Sequence, residues 1–207
     1  MTSLKYKDPA KAKETLVKAI TEGSIEISKA EKKERQEKAP TLFDLTSLQR
    51  EANRRLGYTA QQTLDYTQAL YEKKLVSYPR TDSRFLTEDM EGTLPGLIEK
   101  AAKVSGCSAT ENVNLRSVIN GKKVTDHHAI IPTAYVDKAD LNELPPGERA
   151  ALKLIATRLL EAVSSPCVYV ESILEGVCAG EPFSAKGKTI TDYGWKSVAE
   201  VCDEKKA

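Results

Sequence analysis

The sequence predicts an α+β fold in which a mostly helical domain is inserted into a split, β-rich domain. Two different spacings of hydrophobic residues support this prediction. Residues 42–134 mainly follow a helical spacing, whereas residues 167–190 alternate between apolar and polar as strands do. Because residues 24–28 also alternate, we expect the two ends of the chain to pair. The sequence therefore predicts one domain built from residues 1–41 and 135–207, with residues 42–134 as the insertion.

The first predicted element is a helix over residues 8–20. Asp8 can cap this helix, Pro9 suits its first position, and Gly23 follows its end. A run of mixed charges over residues 29–38 comes after the short strand. We interpret this run as a solvated strand end or a mobile connector.

Two helices open the inserted domain. The first ends at Gly57, and Thr59 with Gln62 forms a capping-box pattern at the start of the second, which runs to about Lys74. Helices joined in this way also resemble a helix-turn-helix, so a non-catalytic DNA-binding module is an alternative. Against it, the second helix begins without an Arg or Asn cluster suited to base edges, and it leads directly into the segment around Tyr78.

The remaining elements follow from the same two periods. Thr87 is placed to cap a helix over residues 88–104, although Pro95 should break or restart that helix. A strongly periodic helix follows Pro145, and alternating strands begin at Cys167.

Composition restricts the classes of function. The net charge is +1, from 31 basic and 30 acidic residues, whereas nucleic-acid binders commonly show a basic bias. Any contact with DNA must therefore come from local placement of charge. No apolar run approaches the roughly 20 residues that span a bilayer and no secretory signal opens the chain, so we expect a cytoplasmic protein. The four widely spaced cysteines and two adjacent histidines do not match a structural zinc site, and we expect no metal or other cofactor in this chain.

Residues 75–84 carry the strongest chemical signal and read Leu-Val-Ser-Tyr-Pro-Arg-Thr-Asp-Ser-Arg. Pro79 disfavours the helical conformation at Tyr78 and so favours a turn that displays the phenol. Such a phenol could attack a phosphodiester while Arg80 holds the phosphate. The alternative is a half-buried strand tyrosine beside a surface cation.

Five motifs occur in an order that resembles type IA DNA topoisomerases, and most of all their topoisomerase III branch. They are Phe-Asp-Leu-Thr-Ser-Leu-Gln at 43–49, Arg-Leu-Gly-Tyr at 55–58, Leu-Tyr-Glu at 70–72, Ser-Tyr-Pro-Arg-Thr-Asp-Ser at 77–83 and Asp-His-His-Ala-Ile-Ile-Pro-Thr at 126–133. The last motif is typical of the topoisomerase III branch, whereas the topoisomerase I branch tends to read Ala-His-Glu-Ala-Ile-Arg-Pro-Thr. The resemblance runs over nearly the whole chain.

The resemblance implies roles for individual residues. Tyr78 corresponds to the active-site tyrosine, Arg80 to the arginine beside it, and His127 to a histidine near the scissile phosphate. From residue types alone, a buried imidazole held by a carboxylate is the alternative for His127, and we prefer an ion pair with Arg80 or Arg84 for Asp82. Five neighbouring residues are expected to contact DNA: Thr81, Asp82, Ser83, Arg84 and His128.

The resemblance also implies a reaction and partners. Type IA enzymes cleave and rejoin single-stranded DNA through a 5′-phosphotyrosyl intermediate, without ATP, while a hinge in the β-rich gate domain moves the tyrosine domain. They bind Mg²⁺ in a Toprim domain that contains an Asp-x-Asp motif. No Asp-x-Asp occurs in this sequence, so we expect an excised fragment that is inactive without the remaining domains of the same polypeptide. The alternatives are a catalytically silent DNA-binding module and an interaction domain with no nucleic-acid role.

Overall fold

The structure is a computed structural model that describes residues 8–107 and 113–198, apart from the side chain of Glu22. It mixes helices with one antiparallel sheet, which confirms the mixed α and β character predicted from the sequence. No helix among these residues is long and apolar enough to cross a membrane.

The chain forms two compact units. One comprises Met1–Glu37 and Cys167–Asp192, and we call it the sheet unit. The other comprises Lys38–Pro166 and Tyr193–Ala207, and we call it the helical unit.

The helix of the sheet unit, α1, spans Pro9–Glu22 and has the predicted ends. The Asp8 carboxylate accepts a hydrogen bond from the Ala10 amide at 2.9 Å, and Gly23 closes the helix in the left-handed conformation, where it lacks a Cβ that would clash. Local sequence therefore determines this helix.

The sheet unit also contains three antiparallel strands in the order β1-β2-β3. Their bounds are Glu26–Glu37 for β1, Cys167–Cys178 for β2 and Glu181–Asp192 for β3. The two ends of the chain therefore pair as expected, with Glu31 opposite Ile173 and Ile173 opposite Lys186.

Strand β1 includes nearly all of the charge run over residues 29–38. Of the two interpretations of that run, the strand end is confirmed and the mobile connector is wrong. β1 lies at the edge of the sheet with almost every residue exposed, so charged side chains need not be desolvated there. Lys29 and Lys33 each lie 3.1 Å from the carboxylate of Glu31, since alternate residues share one face of a strand.

The helical unit contains four helices of more than ten residues among its described residues. The predicted capping box opens the second of them, with the Gln62 amide donating to Thr59 Oγ1 at 3.1 Å and the Thr59 amide donating to Gln62 Oε1 at 2.9 Å. The helices are α2 at Leu45–Leu56, α3 at Ala60–Glu72, α4 at Leu94–Ser105 and α5 at Pro146–Val163.

The helix predicted over residues 88–104 is wrong in its first part. Glu88–Met90 form only a short 3₁₀ turn, and α4 begins at Leu94. Pro95 therefore occupies the first turn of α4, where its missing N–H has no helical acceptor to lose. A helix that restarts near Pro95 agrees with the sequence prediction.

α5 lies in the helical unit, whereas the sequence predicts that residues 1–41 and 135–207 form one domain. α5 packs against α3 and α4 in the helical unit, and the compact units divide at residues 37 and 166 instead of 41 and 134. Leu152 and Ile155 of α5 join one buried group, while Leu159 and Leu160 join a second. Each fully buried leucine or isoleucine stabilises the fold by about 1.5–3 kcal/mol. The division into a gate and an inserted tyrosine domain stays a prediction.

Candidate functional site

A short strand-like segment presents Tyr78. α3 ends at Glu72, and Lys74 then turns the chain with a φ of 61°, an uncommon conformation for a residue with a side chain. The chain next pairs antiparallel with residues 130–133. The Ser77 amide donates to the Ile131 carbonyl at 2.9 Å, and the Thr133 amide donates to the Leu75 carbonyl at 3.0 Å. Tyr78 therefore lies at the end of a paired, extended segment.

The hydroxyl of Ser77 reinforces this pairing. It accepts a hydrogen bond from the Ile131 amide at 2.9 Å and donates one to the Ala129 carbonyl at 2.9 Å. Ala129 and Ile131 are both buried, so this one hydroxyl satisfies two groups that cannot reach water. Sequence analysis quoted Ser77 only as part of a motif and missed this role.

The ring of Tyr78 lies between two other rings. The Tyr71 ring packs edge-on against it, with centroids 5.4 Å apart and planes at 79°. The His127 ring lies on a tilted plane with its centroid 4.3 Å away. Tyr78 is half-buried, and among the described residues no hydrogen bond engages its phenol oxygen. The oxygen is therefore available to a ligand.

His127 is exposed, and none of the described carboxylates bonds its ring. The alternative of a buried imidazole held by a carboxylate is therefore wrong. The neighbouring His128 is half-buried, and its Nδ1 lies 2.8 Å from the Ala129 carbonyl. A carbonyl oxygen only accepts, so this Nδ1 carries a proton.

Two buried hydroxyls hold the loop after Pro79. Thr81 Oγ1 donates to the His127 carbonyl at 2.8 Å and accepts from the Ser83 amide at 3.0 Å. Ser83 Oγ lies 3.0 Å from the carbonyl of Lys123. These hydrogen bonds join the Tyr78 loop to the segment that carries His127. Direct contact of Thr81 or Ser83 with DNA stays a prediction.

Arg84 anchors the loop to α2. Its Nε donates to Asp44 Oδ2 at 2.7 Å, while Asp44 Oδ1 accepts from the Ser47 amide at 2.6 Å and so caps the helix. Burial disfavours the charged carboxylate, but hydrogen bonds from Ser47 and the guanidinium of Arg84 outweigh it and hold the pKa of Asp44 below its ordinary value. Sequence analysis missed Asp44, which lies 40 residues from its partner.

The expected ion pair of Asp82 with Arg80 or Arg84 is wrong. Arg84 binds Asp44 instead, and Asp82 Oδ1 accepts from the Thr125 hydroxyl at 3.4 Å. Arg80 is exposed and forms no hydrogen bond or ion pair within the described parts of the chain. Its five donors therefore face solvent and can bind an anion.

Two pockets lie beside this loop. The arginine pocket, of about 500 Å³, contains Arg80 and His127, and its lining continues with Asp44, Leu45, Thr46, Leu64, Thr81, Asp82, Thr125 and Asp126. The tyrosine pocket, of about 680 Å³, contains Tyr78 and His128. Its other lining residues are Tyr71, Glu72, Lys74, Val76, Ser77, Met90, Thr93, Leu97, Ile131, Pro132, Thr133, Ala134 and Tyr135. The consecutive residues His127 and His128 thus line different pockets, and the ring contact between Tyr78 and His127 connects the two pockets.

The structure brings together the three residues that the sequence singled out for catalysis. Tyr78 and His127 touch through their rings, and His127 shares the arginine pocket with Arg80. Of the five residues expected to contact DNA, Thr81 and Asp82 line the arginine pocket and His128 lines the tyrosine pocket. Arg84 is engaged by Asp44.

Comparison with known proteins gives consistent matches. A sequence model of the DNA topoisomerase family matches residues 2–207. DNA topoisomerase 3 of Bacillus licheniformis is 43% identical over 176 residues, which cover 80% of this chain and 24% of the relative. DNA topoisomerase 3 of Bacillus subtilis is 38% identical over 196 residues, which cover 91% of this chain and 27% of the relative. The chain spans about a quarter of the length of these relatives.

A solved structure has a similar fold. Full-length topoisomerase I from Thermotoga maritima matches with a TM-score of 0.69 at 20% sequence identity, over 97% of this chain and 33% of that one. At this identity the match establishes similarity of fold alone.

Proposed function

This chain belongs to the DNA topoisomerase family, in the topoisomerase III branch of its type IA members, and we propose that its Tyr78 cleaves and rejoins single-stranded DNA. The observation that carries the proposal is the cluster of a free phenol, an imidazole ring and an unpaired guanidinium around the Tyr78 loop. Because the chain covers about a quarter of its relatives, the activity is proposed for a polypeptide that contains this segment.

The proposed reaction is a transesterification. The Tyr78 oxygen loses its proton and attacks the phosphorus, the bond from phosphorus to the 3′ oxygen breaks, and the 3′ oxygen takes up a proton. One phosphodiester is exchanged for another, so the reverse attack by the 3′-hydroxyl rejoins the strand without ATP. The product of cleavage is a 5′-phosphotyrosyl bond.

Arg80 is proposed to stabilise the charge that develops on the non-bridging oxygens. Its planar fork of donors suits two phosphate oxygens at once, and no carboxylate among the described residues forms an ion pair with it. His127 lines the same pocket as Arg80 and touches the Tyr78 ring, which supports a second contact to the phosphate. Asp82 lies in this pocket without an arginine partner and accepts a hydrogen bond from the Thr125 hydroxyl, so its negative charge opposes a phosphate held there.

The described residues do not supply a site for the Mg²⁺ that the family resemblance implies. No three His, Cys, Asp or Glu side chains among them cluster as metal ligands would. We therefore assign no metal to these residues and derive no step through one. Magnesium, the remaining domains of the polypeptide and a cytoplasmic location stay proposals for the full-length protein.

The helix-turn-helix alternative finds no support at the start of α3. Gln61 donates to Asp65 at 2.7 Å and Gln62 caps its own helix, so both amides are engaged. Thr63 and Thr67 are buried, which turns that face of α3 into the unit.

The proposal is tested by placing this segment in the Bacillus subtilis relative, in exchange for the matching residues. A covalent complex with a labelled single-stranded oligonucleotide is then measured on a denaturing gel. We expect Tyr78→Phe to abolish the complex and Tyr71→Phe, which removes the neighbouring phenol, to preserve it. A complex of normal yield in Tyr78→Phe would contradict the proposal.

A further inference from the structure

The tyrosine pocket is larger than a phenol needs and has no role in the reaction proposed above. Tyr78 lines this pocket, whereas Arg80 and His127 line the arginine pocket. The floor of the tyrosine pocket is mostly apolar and includes Val76, Leu97 and Ile131. A pocket of about 680 Å³ with such a floor is larger than a bare phosphate needs and suits a flat, partly apolar group.

Two exposed tyrosines flank this pocket. Tyr71 is 39% exposed and Tyr135 is 49% exposed, although both line a pocket with an apolar floor. Lys138 Nζ lies 5.2 Å from the centroid of the Tyr135 ring, which places a cation beside that ring. Aromatic rings with a cation beside them are the groups that hold the bases and the backbone of single-stranded nucleic acid.

His128 adds a polar group to the same pocket. Its Nδ1 is protonated because it donates to the Ala129 carbonyl, so in the neutral ring Nε2 is a hydrogen-bond acceptor. Every nucleobase carries at least one N–H donor on its edge. Stacking surfaces, an apolar floor and one acceptor therefore occur together.

We propose that the tyrosine pocket binds an unstacked nucleobase next to the phosphate held by Arg80, with the base stacked on Tyr135. This inference rests on the proposed function, since it requires a DNA strand to pass Tyr78. The ring contact between Tyr78, which lines the tyrosine pocket, and His127, which lines the arginine pocket, supports the link, because it places the two pockets side by side.

The test compares two oligonucleotides of equal length and charge that bind this chain in solution. One is a ten-residue oligothymidylate, and the other carries an abasic tetrahydrofuran at every position. Fluorescence anisotropy gives the two dissociation constants for wild type and for each variant. We expect the wild type to prefer the oligothymidylate, and Tyr135→Ala to weaken its binding by roughly 5- to 100-fold while leaving the abasic strand unaffected.

Two controls separate stacking from folding. Tyr135→Phe keeps the ring and should retain the preference. Tyr193→Ala removes a tyrosine that is 46% exposed and lies outside the pocket, and it should leave both dissociation constants unchanged. If Tyr135→Ala weakens both strands equally, or neither, the base pocket is refuted.

Arg80→Ala distinguishes this inference from the proposed function. It should weaken both strands by the same factor, because it removes a contact to phosphate. Equal binding of the two strands by wild type, together with that loss in Arg80→Ala, would refute the base pocket alone. Failure of the wild type to bind either strand, or normal binding by Arg80→Ala, would refute the phosphate site and the base pocket together.

Discussion

Removing the Ser77 hydroxyl should destabilise the helical unit more than an ordinary surface change. Ser77→Ala leaves the N–H of Ile131, a residue that is 2% exposed, without a partner, while the Ala129 carbonyl loses one hydrogen bond and keeps the one from His128 Nδ1. The unsatisfied N–H costs about 1–3 kcal/mol, and the lost hydrogen bond to the carbonyl costs about 0.5–1.5 kcal/mol. Because Ser77 itself is half-buried and water can partly replace its hydroxyl, we expect a total loss of about 2–3 kcal/mol.

Thermal unfolding followed by circular dichroism measures this loss. For a chain of this size, about 2–3 kcal/mol lowers the melting temperature by roughly 5–10 °C. Thr41→Ala is the matched control, since it deletes an exposed hydroxyl in the same unit and should stay within about 0.5 kcal/mol of wild type. A melting temperature for Ser77→Ala equal to that of Thr41→Ala would refute the bridging role.

Three further predictions concern charge and activity. Hydrogen bonds from Arg54, then attraction by Arg55, outweigh burial and lower the pKa of Glu51 from 4.5 to about 2. The ion pairs of Glu51 therefore stabilise the fold above about pH 4.5, and this stabilisation is lost as the pH falls toward 2. The lowered pKa corresponds to at most about 3 kcal/mol, which solvent screening reduces to about 1–2 kcal/mol. Urea titrations should show that Glu51→Gln lowers the free energy of unfolding by that amount at pH 6 and not at all near pH 2. A loss of unfolding free energy that is independent of pH would contradict the assignment. In the Bacillus subtilis exchange protein, Arg80→Lys should reduce the yield of covalent complex, because lysine lacks the planar fork, while the free energy of unfolding stays within about 0.5 kcal/mol of the parent. An unfolded variant would make Arg80 structural, and normal cleavage would refute its contact to the phosphate. The 207-residue chain alone should not relax supercoiled DNA with or without Mg²⁺, and relaxation that is lost in Tyr78→Phe would show that no further domain is required.

Elements with local signals were predictable from the sequence. The cap of α1 at Asp8 and the capping box at Thr59 and Gln62 join residues that are two or three positions apart, so their chemistry is visible in a short window. The helix start at Pro95 belongs to the same class, although only the structure shows that α4 begins at Leu94.

Elements that depend on distant partners were not predictable in the same way. The charge run over residues 29–38 is a strand because β2 supplies hydrogen bonds from the far end of the chain. The apolar periodicity of α5 predicts a buried face without naming its partners, and the structure shows that these partners are α3 and α4. The carboxylate that binds Arg84 is Asp44, 40 residues away, while the nearer Asp82 is unpaired with any arginine.

In the candidate site, too, the local features were predictable from the sequence and the long-range contacts were not. Pro79 and the residue types around Tyr78 indicated a displayed phenol beside an arginine, but the partnership with His127 came from family resemblance alone. Spacing in the sequence cannot bring residues 78 and 127 together, whereas pairing of residues 75–77 with 130–133 does so directly. The tyrosine pocket was not predicted, because its walls come from three separate segments, 71–78, 90–97 and 128–135.

The identity of the nucleophile is the central claim, and mass spectrometry tests it most directly. The Bacillus subtilis exchange protein is trapped with a single-stranded oligonucleotide, digested with protease and nuclease, and searched for peptides that carry a nucleotide. We predict one modified site, Tyr78, linked through the 5′ phosphate of the cleaved strand. A nucleotide attached to any other residue of this segment, or linked through a 3′ phosphate, would contradict the account.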